Sequence, residues 1–149
     1  MGDGDRQREV REHLRQLNLD IDRYAHRVAR GLGIPTTDVH AAGILHAAPE
    51  GLSATELGRA LSLTPSATTS LIDRMEAAGH VTRRVSDVDA RRARIEPTEL
   101  VRQESRDRFA ALNDAIARVM AQSTPEEAAA FADVLGRLAA EMKGVVEGR

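Results

Sequence analysis

The sequence predicts a mainly α-helical fold with one small β-wing. Hydrophobic residues make up 42% of the 149 residues but aromatic residues only 2%, so Ala, Leu, Val and Ile must build the core. Alanine and leucine at this density favour helix over sheet. Residues 80–85 and 93–96, on either side of a polar loop, have the composition of two short strands.

A long first helix is predicted by apolar residues that recur at alternating spacings of four and three, which form one seam along the helix. Gly31, Gly33 and Pro35 end it. A second helix follows, from about residue 36 to 48, and stops at Pro49. The seam of the first helix consists of Val10, Leu14, Leu17, Ile21, Tyr24 and Val28.

Capping residues mark the next two helices. Ser53 and Glu56 form a capping-box pair that opens a short third helix. Thr64 followed by Pro65 opens a fourth helix, because a capping hydroxyl and a first-turn proline both suit a helix N-terminus. Gly79 ends the fourth helix.

Two further helices are predicted after the strands. Thr98 can cap a fifth helix, and Thr124, Pro125 and Glu127 are the capping signature of a sixth. Both have apolar stripes at spacings of three and four. These stripes contain Phe109, Leu112, Ile116, Val119 and Met120 on the fifth helix, and Ala128, Phe131, Leu135, Leu138, Met142 and Val145 on the sixth.

The predicted hairpin is rich in arginine. Five arginines minus two aspartates leave a local charge of +3 over residues 83–94, in a chain whose net charge is −2. Phosphate neutralisation is local, so this excess matters more than the overall balance. The charged residues are Arg83, Arg84, Arg91, Arg92 and Arg94, against Asp87 and Asp89.

The order of these elements is that of a winged helix-turn-helix, which makes DNA binding the leading hypothesis. We expect residues 1–149 to form a single protein of this kind, in which the winged helix-turn-helix module spans residues 36–97. The helices at residues 5–32 and 98–147 would flank it as dimerisation helices. An intramolecular core explains any one apolar stripe, but three of them at the chain ends are easier to cover with a two-fold partner. We therefore expect a homodimer.

The start of the fourth helix is the predicted base-reading surface. Several hydroxyl side chains in its first two turns are unfavourable for a helix and indicate an outside partner. Thr64 and Pro65 would, however, start a helix in any protein. The residues predicted to face the major groove are Thr64, Pro65, Ser66, Ala67, Thr68 and Ser70.

Arginines around this surface are predicted to contact the DNA backbone. Arg74 is expected to bind a phosphate; alternatively it pairs with a neighbouring acid, Asp73 or Glu76. Arg91 at the wing tip is the candidate for insertion into the minor groove. Asp89 would fix the loop. The hairpin residues counted among the DNA contacts are Arg83, Asp89, Arg91 and Arg92.

Residues 61–66, 71–76 and 79–83, which read LSLTPS, LIDRME and GHVTR, closely resemble the multiple-antibiotic-resistance regulator (MarR) family. The run Asp-Ala-Arg at residues 89–91 matches the Asp-x-Arg of that family's wing. The element order agrees over nearly the whole chain, and the resemblance is specific over residues 53–98. It implies a homodimeric transcriptional regulator, usually a repressor whose grip on a DNA operator is loosened by a small ligand.

The resemblance also implies an effector, a small and often anionic aromatic compound held where the first, second and fifth helices meet the DNA-reading module. His13, Tyr24, Arg27 and His46 are polar groups available there, although Tyr24 can equally be a core residue. The five histidines leave open a metal-responsive regulator of the same fold, but no two stand at i,i+4 on one helix. No metal site or cofactor is therefore assigned.

Composition excludes several other functions. The absence of cysteine rules out disulfides, thiolate metal sites and thiol catalysis. No glycine-rich phosphate loop, HExxH motif or nucleophile elbow indicates an enzyme. No apolar run approaches a membrane span and the N-terminus is highly charged, so a soluble cytoplasmic protein is expected. Two non-enzymatic alternatives are a protein-interaction module that does not bind DNA and an architectural DNA binder, which the negative net charge disfavours.

Overall fold

The computed structural model describes residues 2–84, 93–146 and 148, without the side chain of Arg108. Within these residues it confirms the predicted mainly α fold with a small β-wing. The elements in chain order are α1 (Asp3–Leu32), α2 (Thr36–His46), α3 (Ala54–Ala60), α4 (Pro65–Ala77), β1 (Val81–Arg84), β2 (Arg94–Pro97), α5 (Glu99–Gln122) and α6 (Pro125–Val146).

The chain divides into two compact units, Met1–Arg108 and Phe109–Arg149, and the boundary falls inside α5. The predicted division into a module at residues 36–97 and flanking dimerisation helices remains a prediction. Several element ends differ from the sequence expectation by one or two residues, and both strands begin one residue late, at Val81 and Arg94. The second helix stops at His46, two residues early, and the second strand extends through Pro97, which pairs with Val81.

The predicted helix caps are present. The Ser53 hydroxyl accepts a hydrogen bond from the Glu56 backbone N–H at 3.2 Å, and Glu56 Oε2 accepts one from the Ser53 backbone N–H at 2.8 Å. The bond from the Ser53 backbone N–H, and after it a bond that the Ser53 hydroxyl donates to Glu56 Oε2 at 2.7 Å, hold the pKa of the Glu56 carboxyl below its ordinary value. Thr64 Oγ1 accepts from the Ala67 N–H at the start of α4, and Thr124 with Glu127 repeats the reciprocal pattern before α6. Each cap satisfies backbone donors that the first turn of a helix leaves free.

The core of the first unit lies between α2, α3, α4 and the hairpin. It joins side chains that are distant in sequence, and each is at most 2% exposed. α1 contributes its C-terminal half, where Ala25 and Ala29 are buried and α1 contacts α2. The core cluster consists of Ala41, Leu45, Leu57, Leu71, Ile72, Met75, Val81 and Ile95.

The hairpin is fastened to the connection between α2 and α3. Leu52 forms an isolated antiparallel bridge with Ile95, and Arg94 donates to the backbone carbonyls of Glu50 at 2.9 Å and Gly51 at 2.6 Å. Gly51 has a φ of 74°, and a Cβ at this position would lie 2.7 Å from the Ile95 carbonyl oxygen. Glycine is therefore required here, because any side chain would push the hairpin away from the core.

Large apolar side chains are exposed on both units. In the first unit they follow the predicted seam of α1, where Val10, Leu17 and Ile21 are exposed and Leu14 is half-buried. In the second unit no residue of α6 is buried. None of the helices in the described part of the chain is long and apolar enough to cross a membrane. The exposed apolar residues of the second unit are Ile116, Val119, Phe131, Val134, Leu135, Met142, Val145 and Val146.

Candidate nucleic-acid interface

The outer surface of α4 carries most of the predicted base-reading residues. Thr64, Pro65, Ser66 and Ser70 are exposed, as is Thr69, and Ala67 is half-buried. Ser66, Thr69 and Ser70 are three or four residues apart, so they form one stripe of hydroxyls along the helix. The structure thus presents small polar side chains on the open side of the helix-turn-helix.

The expectation that Thr68 also faces outward is wrong. Its side chain is buried, and its hydroxyl donates to the Thr64 carbonyl at 2.9 Å. Gly58 of α3 lies directly opposite, and a Cβ added to that glycine would come within 2.5 Å of Thr68 Oγ1. The absence of a side chain at Gly58 lets α3 approach α4 closely, and Thr68 fills the resulting contact.

The exposed hydroxyls already have partners within the protein, contrary to the argument that they require an outside partner. Thr69 Oγ1 donates to the Pro65 carbonyl at 3.0 Å, and Ser70 Oγ donates to the Ser66 carbonyl at 3.1 Å. Bonds of this i−4 kind are a common way for a helix to accommodate Ser and Thr. Each hydroxyl oxygen still has lone pairs directed away from the helix.

Arg74 fixes α4 to α2. Its guanidinium makes two hydrogen bonds to the carboxylate of Asp38, from Nε at 2.8 Å and from Nη2 at 2.5 Å. The Asp38 side chain is only 5% exposed and that of Arg74 is 45% exposed. The hydrogen bonds to Asp38 raise the pKa of Arg74 above its ordinary value. The alternative partners expected from sequence, Asp73 and Glu76, do not hold this arginine.

The arginines at the base of the wing are also paired. Arg83 forms ion pairs with Asp73 and with Glu76, the latter at 3.5 Å. Arg84 pairs with Glu96 at 3.6 Å. The local charge of +3 counted along the sequence is therefore an overestimate, because acids outside the counted residues fold back onto these arginines. Asp89, Arg91 and Arg92, the predicted wing contacts, lie outside the described residues.

Sequence reasoning missed a groove between α3 and α4. It has a volume of about 310 Å³. The side chain of Arg59 at its edge is exposed and forms no hydrogen bond or ion pair with the described residues, although its charge contributes to lowering the pKa of the Glu56 carboxyl. Thr55 lies one turn earlier on α3. The i,i+4 spacing of these two polar residues, with only glycine at residue 58 between them on that side of the helix, was the available signal. The lining residues are Ala54, Thr55, Gly58, Arg59, Leu63, Pro65, Thr68 and Thr69.

The structure brings together two of the four predicted effector residues. The Arg27 guanidinium carbon lies 5.1 Å from the centre of the Tyr24 ring, within the range of a cation–π contact. Tyr24 is half-buried, whereas His13 and His46 are exposed. Over residues 2–84, 93–146 and 148, no three His, Cys, Asp or Glu side chains cluster closely enough to hold a metal ion.

Two helices joined by a tight turn, followed by a β-hairpin fastened to their core, define a winged helix-turn-helix protein. A family model described as the MarR family matches residues 32–92. The chain is also 30% identical over 133 residues to the HTH-type transcriptional regulator YcgE of Bacillus subtilis (strain 168). That match covers 89% of this chain and 86% of YcgE.

Solved structures show the same fold. A MepR mutant from a multidrug-resistant S. aureus clinical isolate matches with a TM-score of 0.77 and 19% identity, over 89% of this chain and 96% of that one. A MarR family protein from Bacillus stearothermophilus matches with a TM-score of 0.72 and 23% identity, over 96% of this chain and 99% of that one. The chain belongs to the MarR family of transcriptional regulators, which confirms the resemblance read from residues 53–98.

The ion pair between Asp38 and Arg74 generates a prediction about stability. We expect Arg74→Met to lower the free energy of unfolding by about 1–3 kcal/mol, because the nearly buried Asp38 carboxylate loses two charged donors. Asp38→Asn in the same chain should recover part of the loss, since an amide costs less to bury than an unpaired carboxylate. Urea denaturation followed by circular dichroism measures both.

Arg59→Met is the matched control, because it removes an exposed arginine for which the described residues supply no such partner, and it should leave stability nearly unchanged. If Arg74→Met had parental stability and instead reduced DNA affinity, the pair would not be the main role of Arg74. The sequence-based prediction of a phosphate contact at Arg74 would then stand in its place.

Proposed function

We propose that the protein is a homodimeric, ligand-responsive repressor that binds a pseudo-palindromic operator in double-stranded DNA. The observation that carries the proposal is the exposed hydroxyl stripe of α4, on a helix that the Asp38–Arg74 pair and the close α3 contact hold in place. Small polar side chains on an anchored helix can enter the major groove without steric conflict. A mutant of S. aureus MepR, which matches this chain with a TM-score of 0.60 and 19% identity, was solved bound to an oligodeoxyribonucleotide.

The groove beside α4 supplies the backbone contact in this proposal. Arg59 is an exposed cation whose side chain forms no hydrogen bond or ion pair with the described residues, and Thr55 and Thr69 line the same groove. In helix-turn-helix proteins the first helix crosses the DNA backbone while the second reads base edges. We therefore assign Arg59 to a phosphate, and Ser66, Thr69 and Ser70 to the base edges.

Selection of genomic fragments by the purified protein tests the proposal. We expect a discrete pseudo-palindrome whose half-sites are about 10 bp apart, or a multiple of that spacing. Arg59→Ala should weaken binding to all sequences alike and reduce the slope of log affinity against log salt by about 0.9, the value for one phosphate contact. Arg6→Ala, which removes an exposed arginine of α1 far from α4 in the sequence, is the control. A uniform coat on DNA, or no retained fragment, would contradict the proposal.

The homodimer is supported by the exposed apolar seams of α1 and α6. Single exposed apolar residues are ordinary, but rows of them along two long helices indicate a surface that a partner covers. A two-fold dimer would bury both seams and set two copies of α4 against successive half-sites.

A charge placed on each seam tests the dimer. Leu17→Asp with Leu138→Asp should give monomers or aggregates that do not bind the operator, because both substitutions bury a charge against apolar side chains. Gln16→Asp with Ala140→Asp, outside the seams of the same helices, should stay dimeric. Sedimentation of the parent protein as a monomer at micromolar concentration would contradict the proposed assembly.

The effector is proposed to be a small aromatic compound, often anionic, that contacts Tyr24 and Arg27. The ring of the half-buried Tyr24 and the guanidinium of Arg27 together form one amphipathic surface, which suits an aromatic acid. MepR was also solved bound to ethidium bromide, a structure that matches this chain with a TM-score of 0.61 and 19% identity. An effector releases DNA only if it binds the DNA-incompetent arrangement more tightly than the competent one.

A screen of phenolic acids and divalent metals against operator binding tests this assignment. We expect release by at least one aromatic acid. Tyr24→Ala should abolish the response while the variant still binds the operator, since Tyr24 lies on α1 and not on the base-reading helix α4. A hundredfold release corresponds to about 2.7 kcal/mol of coupling, an ordinary value for allostery. Release by zinc and by no organic compound would favour the metal-responsive alternative.

A further inference from the structure

The exposed stripe of α4 changes character along the helix. Ser66 and Thr69 are followed on the same side by Asp73 and Glu76, at successive spacings of three or four residues. The first half of the helix thus presents hydroxyls, while the second half presents carboxylates. A helix that enters a polyanionic groove would normally lose affinity from acids in this position.

Both carboxylates are paired with one cation of the hairpin. Arg83 on β1 contacts Asp73 through Nη2 and Glu76 through Nε, the latter at 3.5 Å. All three side chains are between 38% and 58% exposed. Ion pairs at this exposure contribute little to folding stability. Their main effect is on the electric field at the surface, where two negative charges outweigh the one positive charge.

We propose that Asp73 and Glu76 are specificity-determining residues that hold Arg83 away from DNA phosphates, an arrangement called the Arg83 gate below. The gate lowers the affinity of the protein for arbitrary DNA, because it removes one phosphate contact and adds repulsion beside the groove. Operator recognition through the hydroxyl half of α4 is affected less, since those contacts lie one to two turns away. This inference rests on the proposed function, because it concerns how the same surface selects its DNA.

The Arg83 gate depends on the negative charges of Asp73 and Glu76, so neutral side chains of the same shape at these positions should release Arg83. The double variant Asp73→Asn with Glu76→Gln keeps the side-chain shapes and leaves Arg83 without these two anionic partners on α4. Fluorescence anisotropy on the selected operator and on a scrambled duplex, over a series of salt concentrations, measures the result. We expect affinity for scrambled DNA to rise about tenfold, with a salt slope steeper by about 0.9, and operator affinity to change much less.

Two controls separate the Arg83 gate from a general charge effect. Glu12→Gln with Asp20→Asn also raises the net charge by two and removes the carboxylates that pair with Arg15 and Arg23 on α1. It should leave the ratio of operator to scrambled affinity unchanged. Adding Arg83→Ala to the α4 double variant should remove the part of the gain on scrambled DNA that comes from the phosphate contact and restore the parental salt slope, leaving only the part that comes from lost repulsion. Thermal melts of each variant show whether the fold is retained.

The outcomes are distinct. If the α4 variant gains no more on scrambled DNA than the α1 control, or if Arg83→Ala leaves both the gain and the steeper salt slope undiminished, the inference is overturned. It is also overturned if operator affinity alone falls, because Asp73 would then be reading a base, as a carboxylate can at the amino group of cytosine. A parent protein that does not distinguish operator from scrambled DNA contradicts the proposed function itself. If the parent protein does distinguish operator from scrambled DNA, and the α4 double variant has the same ratio of operator to scrambled affinity as the parent, only this inference is contradicted.

Discussion

The placement of α4 depends on one interaction, the bidentate ion pair between Asp38 and Arg74. The carboxylate in the first turn of α2 is almost fully buried, and the two guanidinium hydrogen bonds are its main compensation, beside a longer bond from the Thr37 hydroxyl at 3.4 Å. Because a forked pair is directional, α4 cannot turn about its axis or slide along α2 without breaking it. α2 in turn contacts α1 around Ala25 and Ala29. The orientation of the hydroxyl stripe is therefore tied to the C-terminal half of α1. A ligand that moves α1 would move α2 with it, and α4 through the Asp38–Arg74 pair.

The arginines at the base of the wing are likewise bound to other groups of the protein. Arg94 opposes Arg84 directly in the hairpin, a juxtaposition that would be repulsive if both side chains extended together. Arg94 instead turns to the carbonyls of Glu50 and Gly51, and Arg84 turns to Glu96. Arg94 thus holds the hairpin to the connection between α2 and α3, whereas Arg84 pairs within the hairpin itself. A count of charges along a sequence window cannot show this, because it treats every arginine as free.

The parts of the fold that could be predicted from sequence are those set by residues close together in the chain. A capping box needs four residues, so Ser53 with Glu56 and Thr124 with Glu127 were recognisable, as were the apolar seams of α1 and α6. The contacts that could not be predicted join distant residues. Asp38 and Arg74 are 36 residues apart, and the burial of Thr68 depends on a glycine in another helix. The cap at Thr64 and Pro65 showed where α4 begins, but not that the boundary of its buried side passes through the hydroxyl cluster.

The hydrogen-bond pattern of α4 also constrains what its stripe can recognise. The hydroxyl hydrogens of Thr69 and Ser70 are donated to helix carbonyls, so their oxygens face outward as acceptors. In the major groove the complementary donors are the amino groups of adenine and cytosine, and the methyl of Thr69 is a suitable contact for the methyl of thymine. A guanine edge offers two acceptors and would require a rotated hydroxyl that gives up its bond to the helix. The next two arginines after the stripe along the chain, Arg74 and Arg83, are paired with carboxylates of α2 and α4. The bidentate arginine–guanine contact is therefore not available from these side chains while their pairs persist, and recognition by α4 has to rest on its hydroxyls.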